Sequence, residues 1–473
     1  MELIMNIHDP EVQAFLASNR AKLFSTMPAG TYAIVRGPYH NSNNSNRINT
    51  LENTDTVLYH KNENLHWLTG INDPEQTGPS NTAIFVKNAD GSTEFILIST
   101  ELQMSVETQQ CYGVNQFYFN ADANLANQEY SRYLSLHANK QRISDANINL
   151  RIGQLRMVKS DFEINQLRTI TANTSNAIIL AMKSARSGMT EGTVQTSIDN
   201  HFNALGYTAD LSFTTTVSGN HDISGQSYHT HALTAQDFVF INAGASSKGG
   251  MKTDITAQFP LNGAFSKVQK TLYEIILSAN QQAINAAQIG TPVDAIEKIG
   301  IKVLTAGLIE LGILTEPLDD RIKENAYIHY FTDKVFRWVG FNLFDPCPYF
   351  DEQMTPIKLS QNMAFAITSS LTIPQNIDSP YKGMSMCIRN VLVITPQGTE
   401  NLSKVPQTVE AIQNCVAPPS ATGKRTNEKR FENNHDHNGE GNNNSNNNGG
   451  NYNNNSSSSA SGLDYPINVY FNN

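Results

Sequence analysis

Long amphipathic helices separated by strand-like runs constrain the fold of this chain most strongly. Ser160 and Glu163 form a capping box, in which each residue satisfies the other's helix-end groups, and Ile164, Leu167 and Ile170 follow at helical spacing. Helices are predicted over about 160–182, from Thr190 towards Leu205, over 266–288 and over 293–312, and strands over 212–217, 238–242, 363–373 and 388–395. This alternation predicts an α+β fold.

The first 150 residues show a different pattern of short apolar runs joined by Asn-, Gly- and Asp-rich connections. Residues 31–36, 81–86 and 95–98 have the composition of strands. The Asp-Gly pair within 89–92 predicts a hairpin turn between the last two. A separate N-terminal α/β domain is therefore expected ahead of the α+β domain.

Composition excludes several functional classes. Among 473 residues, 39% are hydrophobic, which is enough for a substantial core, and a net charge of −10 argues against binding to nucleic acid. The four cysteines, Cys111, Cys347, Cys387 and Cys415, include no C-x-x-C pair, so neither a zinc site nor a disulfide framework is indicated. No apolar run approaches the ~20 residues of a membrane span, and the start lacks a signal-peptide pattern. We expect a cytoplasmic protein with no membrane partner.

The C-terminal part changes composition after Pro418. Residues 433–458 are almost wholly Asn, Gly, Ser and His, and such a segment cannot bury enough apolar surface to offset its chain entropy. Residues 413–473 are therefore predicted to be a disordered tail. The apolar residues return over 463–471, either as a docking segment or as part of the same tail.

The segment Ile241–Ala245, followed by Thr253–Thr256, has the form of a two-metal peptidase site whose first carboxylate has become an amide, Asn242. With the aromatic run 59–70, which ends in Leu-Thr-Gly, it resembles the creatinase/aminopeptidase P family over roughly residues 10–410. The resemblance implies a pita-bread fold. It divides the chain into an N-terminal creatinase-like domain (1–152), a pita-bread domain (153–412) and the tail (413–473).

The family holds two divalent metals with two Asp, one His and two Glu. Anionic ligands are needed because two close cations repel each other, and together the cations activate a bridging water. The resemblance places these five ligands at Asn242, Asp254, Arg337, Thr368 and Arg389. Only Asp254 keeps its chemistry, and its spacing from Asn242 (254 − 242 = 12) is one residue longer than in the family.

The loss of ligands does not depend on the alignment register, since no His lies between 330 and 434 and no Glu between 353 and 399. The substituted set carries one negative and two positive charges, so a dication there would meet like charge. No metal cofactor is expected, and Mn or Zn only if the protein is an enzyme. We also expect Arg337, Arg389 or both to form an ion pair with Asp254.

Other candidate residues lie around the same cleft. The resemblance puts Phe344 at the position of a second family His near the substrate, and His229 loosely at a substrate-orienting His. The alternative for His229 is a loop of surface histidines. A mononuclear metal site from His221, Asp222 and His231 is a further alternative that their spacing does not favour. His229, Asp254, Arg337, Phe344 and Arg389 are the predicted pocket residues.

Three functional interpretations follow from this pattern. The first is a catalytically inactive aminopeptidase P-like protein, a pseudoenzyme that binds a peptide or protein partner. The second is an active Xaa-Pro metalloaminopeptidase with a displaced site, and the third is a structural subunit paired with an active paralogue. Family members often form dimers, so a homodimer or a dimer with a paralogue is expected.

Overall fold

The computed structural model describes residues 5–36, 63–71, 81–100, 102–207, 212–219, 230–331 and 333–416. All of them belong to one compact unit, Met1–Pro418. His221, His229 and residues 417–473 of the predicted tail (413–473) lie outside the described residues. No helix in the described part of the chain is both long and apolar enough to cross a membrane.

The N-terminal part contains a five-stranded sheet among the described residues, in the order β4-β3-β2-β1-β5. Its elements are α1 (Pro10–Thr26), β1 (Thr31–Arg36), α2 (Glu63–Thr69), β2 (Asn81–Lys87), β3 (Thr93–Ser99), α3 (Val106–Tyr112), β4 (Gln116–Phe119), α4 (Ala123–Leu136), β5 (Gln141–Arg142) and α5 (Asp145–Arg156). β2 and β3 pair antiparallel across the predicted turn, while β4 and β5 join the sheet in parallel. The predicted hairpin is confirmed.

The C-terminal part contains two antiparallel sheets among the described residues, β6-β7-β8 and β12-β11-β10-β9. Its elements are α6 (Asp161–Ser184), α7 (Glu191–Ala204), β6 (Thr216–Ser218), β7 (Phe238–Ala243), β8 (Ile255–Pro260), α8 (Lys267–Ala286), α9 (Val293–Glu310), α10 (Leu318–Lys323), β9 (Phe336–Trp338), β10 (Ala364–Thr372), β11 (Ser385–Thr395), β12 (Gly398–Asn401) and α11 (Val409–Cys415). The predicted long helices and the α+β class are confirmed.

Helix boundaries follow from local capping chemistry. The Ser160–Glu163 capping box is present at the start of α6, and Thr190 accepts the backbone N–H of Thr193 at the start of α7. Helix α8 buries one face against β10 and β11, and its Asn280 donates to the carbonyls of Ile367 and Ile388, each at 3.2 Å. These bonds fix α8 across β10 and β11, two of the strands that carry the site described below.

The two sheets of the C-terminal part meet through side chains. Thr256 and Gln258, both on β8, reach the backbone of β11, a strand to which β8 is not paired. Thr256 Oγ1 accepts the N–H of Arg389 at 2.8 Å and Gln258 Oε1 accepts the N–H of Cys387 at 2.8 Å. Their donor groups bond the carbonyls of Cys387 and Ser385. These contacts hold β8 and β11 at a fixed separation.

A buried ionic cluster joins α5 to the loop after β9. Asp345 is fully buried and pairs with Arg156 and with Lys159, whose Nζ lies 2.8 Å from Asp345 Oδ2. Arg156 also donates to Asn64 and Asn342, each at 2.8 Å, and so connects the N-terminal part to this loop. A Cβ at Gly340 would lie 2.2 Å from Asp345 Oδ2, which explains why only glycine fits there.

The predicted boundaries at 152/153 and 412/413 fall inside α5 and α11. They stay predictions.

We expect Asp345→Asn to lower the free energy of unfolding by about 3–5 kcal/mol, because it leaves two buried cations undercompensated. Burial opposes the charged carboxylate, but Arg156 and Lys159 outweigh it and lower the pKa of Asp345. This lowered pKa means that the carboxylate stabilises the fold above its unfolded pKa of about 3.9 and loses that effect as pH falls through the folded pKa.

Chemical denaturation at pH 7 and at acid pH measures both effects. The control is Glu274→Gln, which removes a half-exposed i,i+4 pair with Lys270 and should change stability by less than about 1 kcal/mol. Equal effects of the two substitutions would contradict the role of Asp345 as the buried counterion of Arg156 and Lys159.

Candidate functional site

Strand pairing brings the five predicted ligand positions together at the meeting point of the two C-terminal sheets. On β10, Thr368 lies directly opposite Arg389 of β11, and Ala366 lies opposite Arg337 of β9. Asn242 on β7 pairs with Thr256, two residues after Asp254. Four of the five positions are buried: Asp254, Arg337, Thr368 and Arg389. Asn242 is partly buried.

Arg389 is the centre of this arrangement. Its Nη1 donates to Asp254 Oδ2, its Nη2 to Asp333 Oδ2 at 2.7 Å, and its Nε to Thr368 Oγ1 at 3.1 Å. All three guanidinium nitrogens therefore have acceptors. Burial alone would lower the pKa of Arg389, but Asp254 and Asp333 outweigh it and raise that pKa above its usual value. The side chain is a permanently charged and hydrogen-bonded cation.

Asp254 is held from two sides. Its Oδ2 accepts from Arg389, and its Oδ1 lies 2.6 Å from the Asn242 amide nitrogen when that amide is oriented to satisfy the hydrogen-bond network. In the same orientation, Asn242 also donates to the Ile255 carbonyl at 3.2 Å. The amide at the position that the resemblance assigns to the first family carboxylate thus donates to Asp254.

Arg337 lies beside Arg389 and shares its carboxylates. Its Nη2 is 3.0 Å from Asp333 Oδ2 and 3.9 Å from Asp254 Oδ2, the second distance being too long for a hydrogen bond. The expected pairing of the arginines with Asp254 is confirmed. Burial and the neighbouring Arg389 together lower the pKa of Arg337, despite the two carboxylates.

Asp333 corrects the charge count made from the sequence. That count gave one negative and two positive charges, because it considered only the family's ligand positions. Asp333 contributes a second carboxylate that contacts both arginines, so the cluster is neutral. The signal was available, since two buried arginines require two counterions and Asp333 lies four residues before Arg337.

Phe344 covers the outer side of this cluster. The Arg337 guanidinium carbon lies 4.1 Å from the centre of the Phe344 ring, within cation–π distance. Phe344 is 46% exposed and the Asp333 side chain 21%, so the cluster reaches the surface at these two residues. Of the five predicted pocket residues, the structure thus brings together Asp254, Arg337, Phe344 and Arg389. His229 lies outside the described residues.

The histidine loop contributes one described residue. His231 lies 3.2 Å from Asp237 through Nε2, and its side chain is 36% exposed. Within the ranges that the structure describes, no three His, Cys, Asp or Glu side chains are grouped so as to hold a metal ion.

Asp254→Ala should destabilise the fold by about 3–5 kcal/mol, because it leaves two buried guanidinium groups with one carboxylate between them. The measurement is the free energy of unfolding in denaturant. In a double-mutant cycle, Arg389→Met combined with Asp254→Ala should cost less than the sum of the single substitutions. Additive losses would contradict a direct interaction between the two residues.

Comparisons with known proteins agree with this architecture. The model of metallopeptidase family M24 matches residues 165–396. The Xaa-Pro aminopeptidase of Escherichia coli (strain K12) is 30% identical over 268 residues, which cover 55% of this chain and 60% of that protein. The Xaa-Pro dipeptidase of Homo sapiens is 22% identical over 77% of this chain and 86% of its own length. The matches to the bacterial enzymes of Escherichia coli and Haemophilus influenzae thus span under two thirds of those relatives.

Solved structures show the same fold. The low-pH form of Escherichia coli aminopeptidase P has a TM-score of 0.71 and 22% identity, covering 85% of this chain and 98% of that one. The zinc-substituted form of that protein in complex with product has a TM-score of 0.70. The predicted pita-bread fold is confirmed, and residues 165–396 match metallopeptidase family M24 within a chain that has the fold of aminopeptidase P.

Proposed function

We propose that this protein is a catalytically inactive member of its family, a pseudoenzyme that binds a peptide or protein in the cleft of the former enzyme. The observation that carries the proposal is Arg389, which takes the place of a ligand and uses all three of its nitrogens to hold Asp254, Asp333 and Thr368. A guanidinium group cannot ligate a metal, because it has no lone pair to donate and stays protonated.

The residues present do not fit a pair of divalent metals. The retained carboxylate, Asp254, is engaged by Asn242 and Arg389, and Asp333 is engaged by both arginines. A metal would have to displace Arg389 from its hydrogen bonds and then sit beside two cations. The donor set is therefore that of an ion-pair cluster.

The cluster also lacks another route to a nucleophile. Thr368 Oγ1 accepts a hydrogen bond from Arg389 Nε, which draws electron density from this oxygen and makes it a poorer nucleophile. Burial raises the pKa of the nearby Cys387 thiol to about 11, so this group stays protonated at neutral pH. We therefore assign the cleft to binding, with Phe344 as the exposed apolar contact at its mouth.

We expect the purified protein to hold no stoichiometric Mn, Zn or Co, because the positions of four ligands are filled by Asn242, Arg337, Thr368 and Arg389. Elemental analysis after dialysis measures the metal content. A chelator should leave the melting temperature unchanged, since the ion pairs and not a metal join the two sheets. About two metals per chain, together with a chelator-induced drop in melting temperature, would refute the proposal.

We also expect no hydrolysis of Xaa-Pro peptides, because no group in the cluster can generate a nucleophile at neutral pH. Release of the N-terminal residue from such peptides is the assay, with Escherichia coli Xaa-Pro aminopeptidase as the positive control. Asp254→Ala distinguishes true turnover from contamination. Activity that this substitution abolishes would establish the alternative, an active enzyme with a displaced site.

A further inference from the structure

The two arginines of the cluster differ in how well their donors are used. Every nitrogen of Arg389 has an acceptor. Arg337, in contrast, reaches Asp333 and Asp254 in its closest contacts through Nη2, and its buried Nε has no hydrogen-bond partner. The Arg337 side chain is only 5% exposed, so this missing partner leaves a buried donor uncompensated.

The surroundings of Arg337 indicate which group could complete the hydrogen bonding of its guanidinium. Asp333 and Asp254 are shared with Arg389, which holds both of them more closely. Burial and the neighbouring Arg389 lower the pKa of Arg337, so the two shared carboxylates do not stabilise its charge as well as they stabilise that of Arg389. An additional anion would do so, and the planar guanidinium is the side chain best suited to a carboxylate.

Phe344, which covers the guanidinium of Arg337, indicates what the ligand carries besides its carboxylate. The exposed Phe344 ring packs on the guanidinium at 4.1 Å and offers an apolar surface beside it. This ring and the partly exposed Asp333 mark the side from which a ligand can approach. A group that combined a carboxylate with an apolar side chain could contact both Arg337 and Phe344.

We infer that Arg337 and Phe344 form a recognition site for a ligand carboxylate that carries a neighbouring apolar group, as at the C-terminus of a peptide. This inference rests on the proposed function, because two metals at the cluster would displace the arginines. The carboxylate could also come from an acidic side chain, which offers the same chemistry. Arg337 is the anchoring residue, and Arg389 keeps the two aspartates in place.

The test compares ligands that differ only in the carboxylate. N-acetyl-phenylalanine and N-acetyl-phenylalanine amide are titrated into the full-length protein, and binding is followed by ligand-observed NMR. The free acid should bind at least about tenfold more tightly, because only it brings a negative charge and two equivalent acceptor oxygens to the guanidinium. N-acetyl-glutamate amide, which has an acidic side chain and no free C-terminus, distinguishes the two sources of the carboxylate.

Two variants test the assigned residues. Arg337→Lys keeps the charge but removes the planar fork, and it should reduce the preference for the acid over the amide to less than about threefold. Phe344→Ala changes a half-exposed side chain, so the fold should be kept. It should weaken the binding of N-acetyl-phenylalanine and leave the binding of N-acetyl-glycine unchanged. Arg142→Gln is the matched control, because it removes an arginine from an exposed pair with Asp145 in the N-terminal part. It should change the binding of neither ligand.

The result separates this inference from the proposed function. Metal content and hydrolysis are measured on the same preparation. A metal-free, inactive protein that binds acid and amide equally, or binds neither, would overturn the carboxylate site alone. A preparation with two metals and Xaa-Pro hydrolysis would overturn the proposed function, and the inference with it.

Discussion

The ion pair between Arg389 and Asp254 is the interaction on which the centre of the C-terminal part depends. Arg389 lies on β11 and Asp254 immediately precedes β8, strands that belong to different sheets. The backbone N–H of Arg389 is held by Thr256, so the strand and its side chain are fixed by neighbouring residues of β8. A buried pair of this kind stabilises a fold only when its remaining donors and acceptors are satisfied. Arg389 meets that condition through Thr368 and Asp333.

Charge balance explains how the same fold can accommodate either two metals with carboxylate ligands or two arginines with two aspartates. By resemblance, the family site balances two dications with four anionic ligands. Here two arginines are balanced by two aspartates, Asp254 and Asp333, so both arrangements are neutral. Under the proposed function, this exchange lowers the total charge to be buried, and it replaces bonds to metals with charge-assisted hydrogen bonds between strands. The sheets can therefore keep their pairing while the chemistry at their junction changes.

Local patterns in the sequence were sufficient for most of the fold. The Ser160–Glu163 capping box and the spacing of Ile164 and Leu167 defined α6, and the Asp-Gly turn defined the β2–β3 hairpin. These signals are short-range, since each involves residues within a few positions of one another. The pairing of the arginines with Asp254 was also predictable, because the resemblance placed their positions around the same metals.

Long-range polar contacts could not be predicted in the same way. Asp345 lies at the centre of a buried cluster with Arg156, 189 residues away, and no local pattern around either residue indicates that contact. Asp333 was missed because it corresponds to no ligand of the family, and its contact with Arg389, 56 residues away, follows only from the pairing of the strands. Such contacts depend on which strands become neighbours, and no spacing in the sequence encodes them. Charge neutrality was the physical criterion that would have led to Asp333.

Under the proposed function, in which the cluster replaces a metal site, its neutrality opposes a stepwise return to metal binding. Replacing Arg389 by glutamate would restore one carboxylate, but it would place three negative charges beside Arg337 in a buried space and leave Thr368 without its donor. Replacing Arg337 alone would leave Arg389 hydrogen-bonded to Asp254 and Asp333, which would still be unable to bind a metal. Each single step thus breaks a neutral, hydrogen-bonded set before a metal can be held, and each therefore costs folding stability. The arginine cluster and the two-metal site are separate solutions to one constraint, the neutral filling of a buried junction between two sheets.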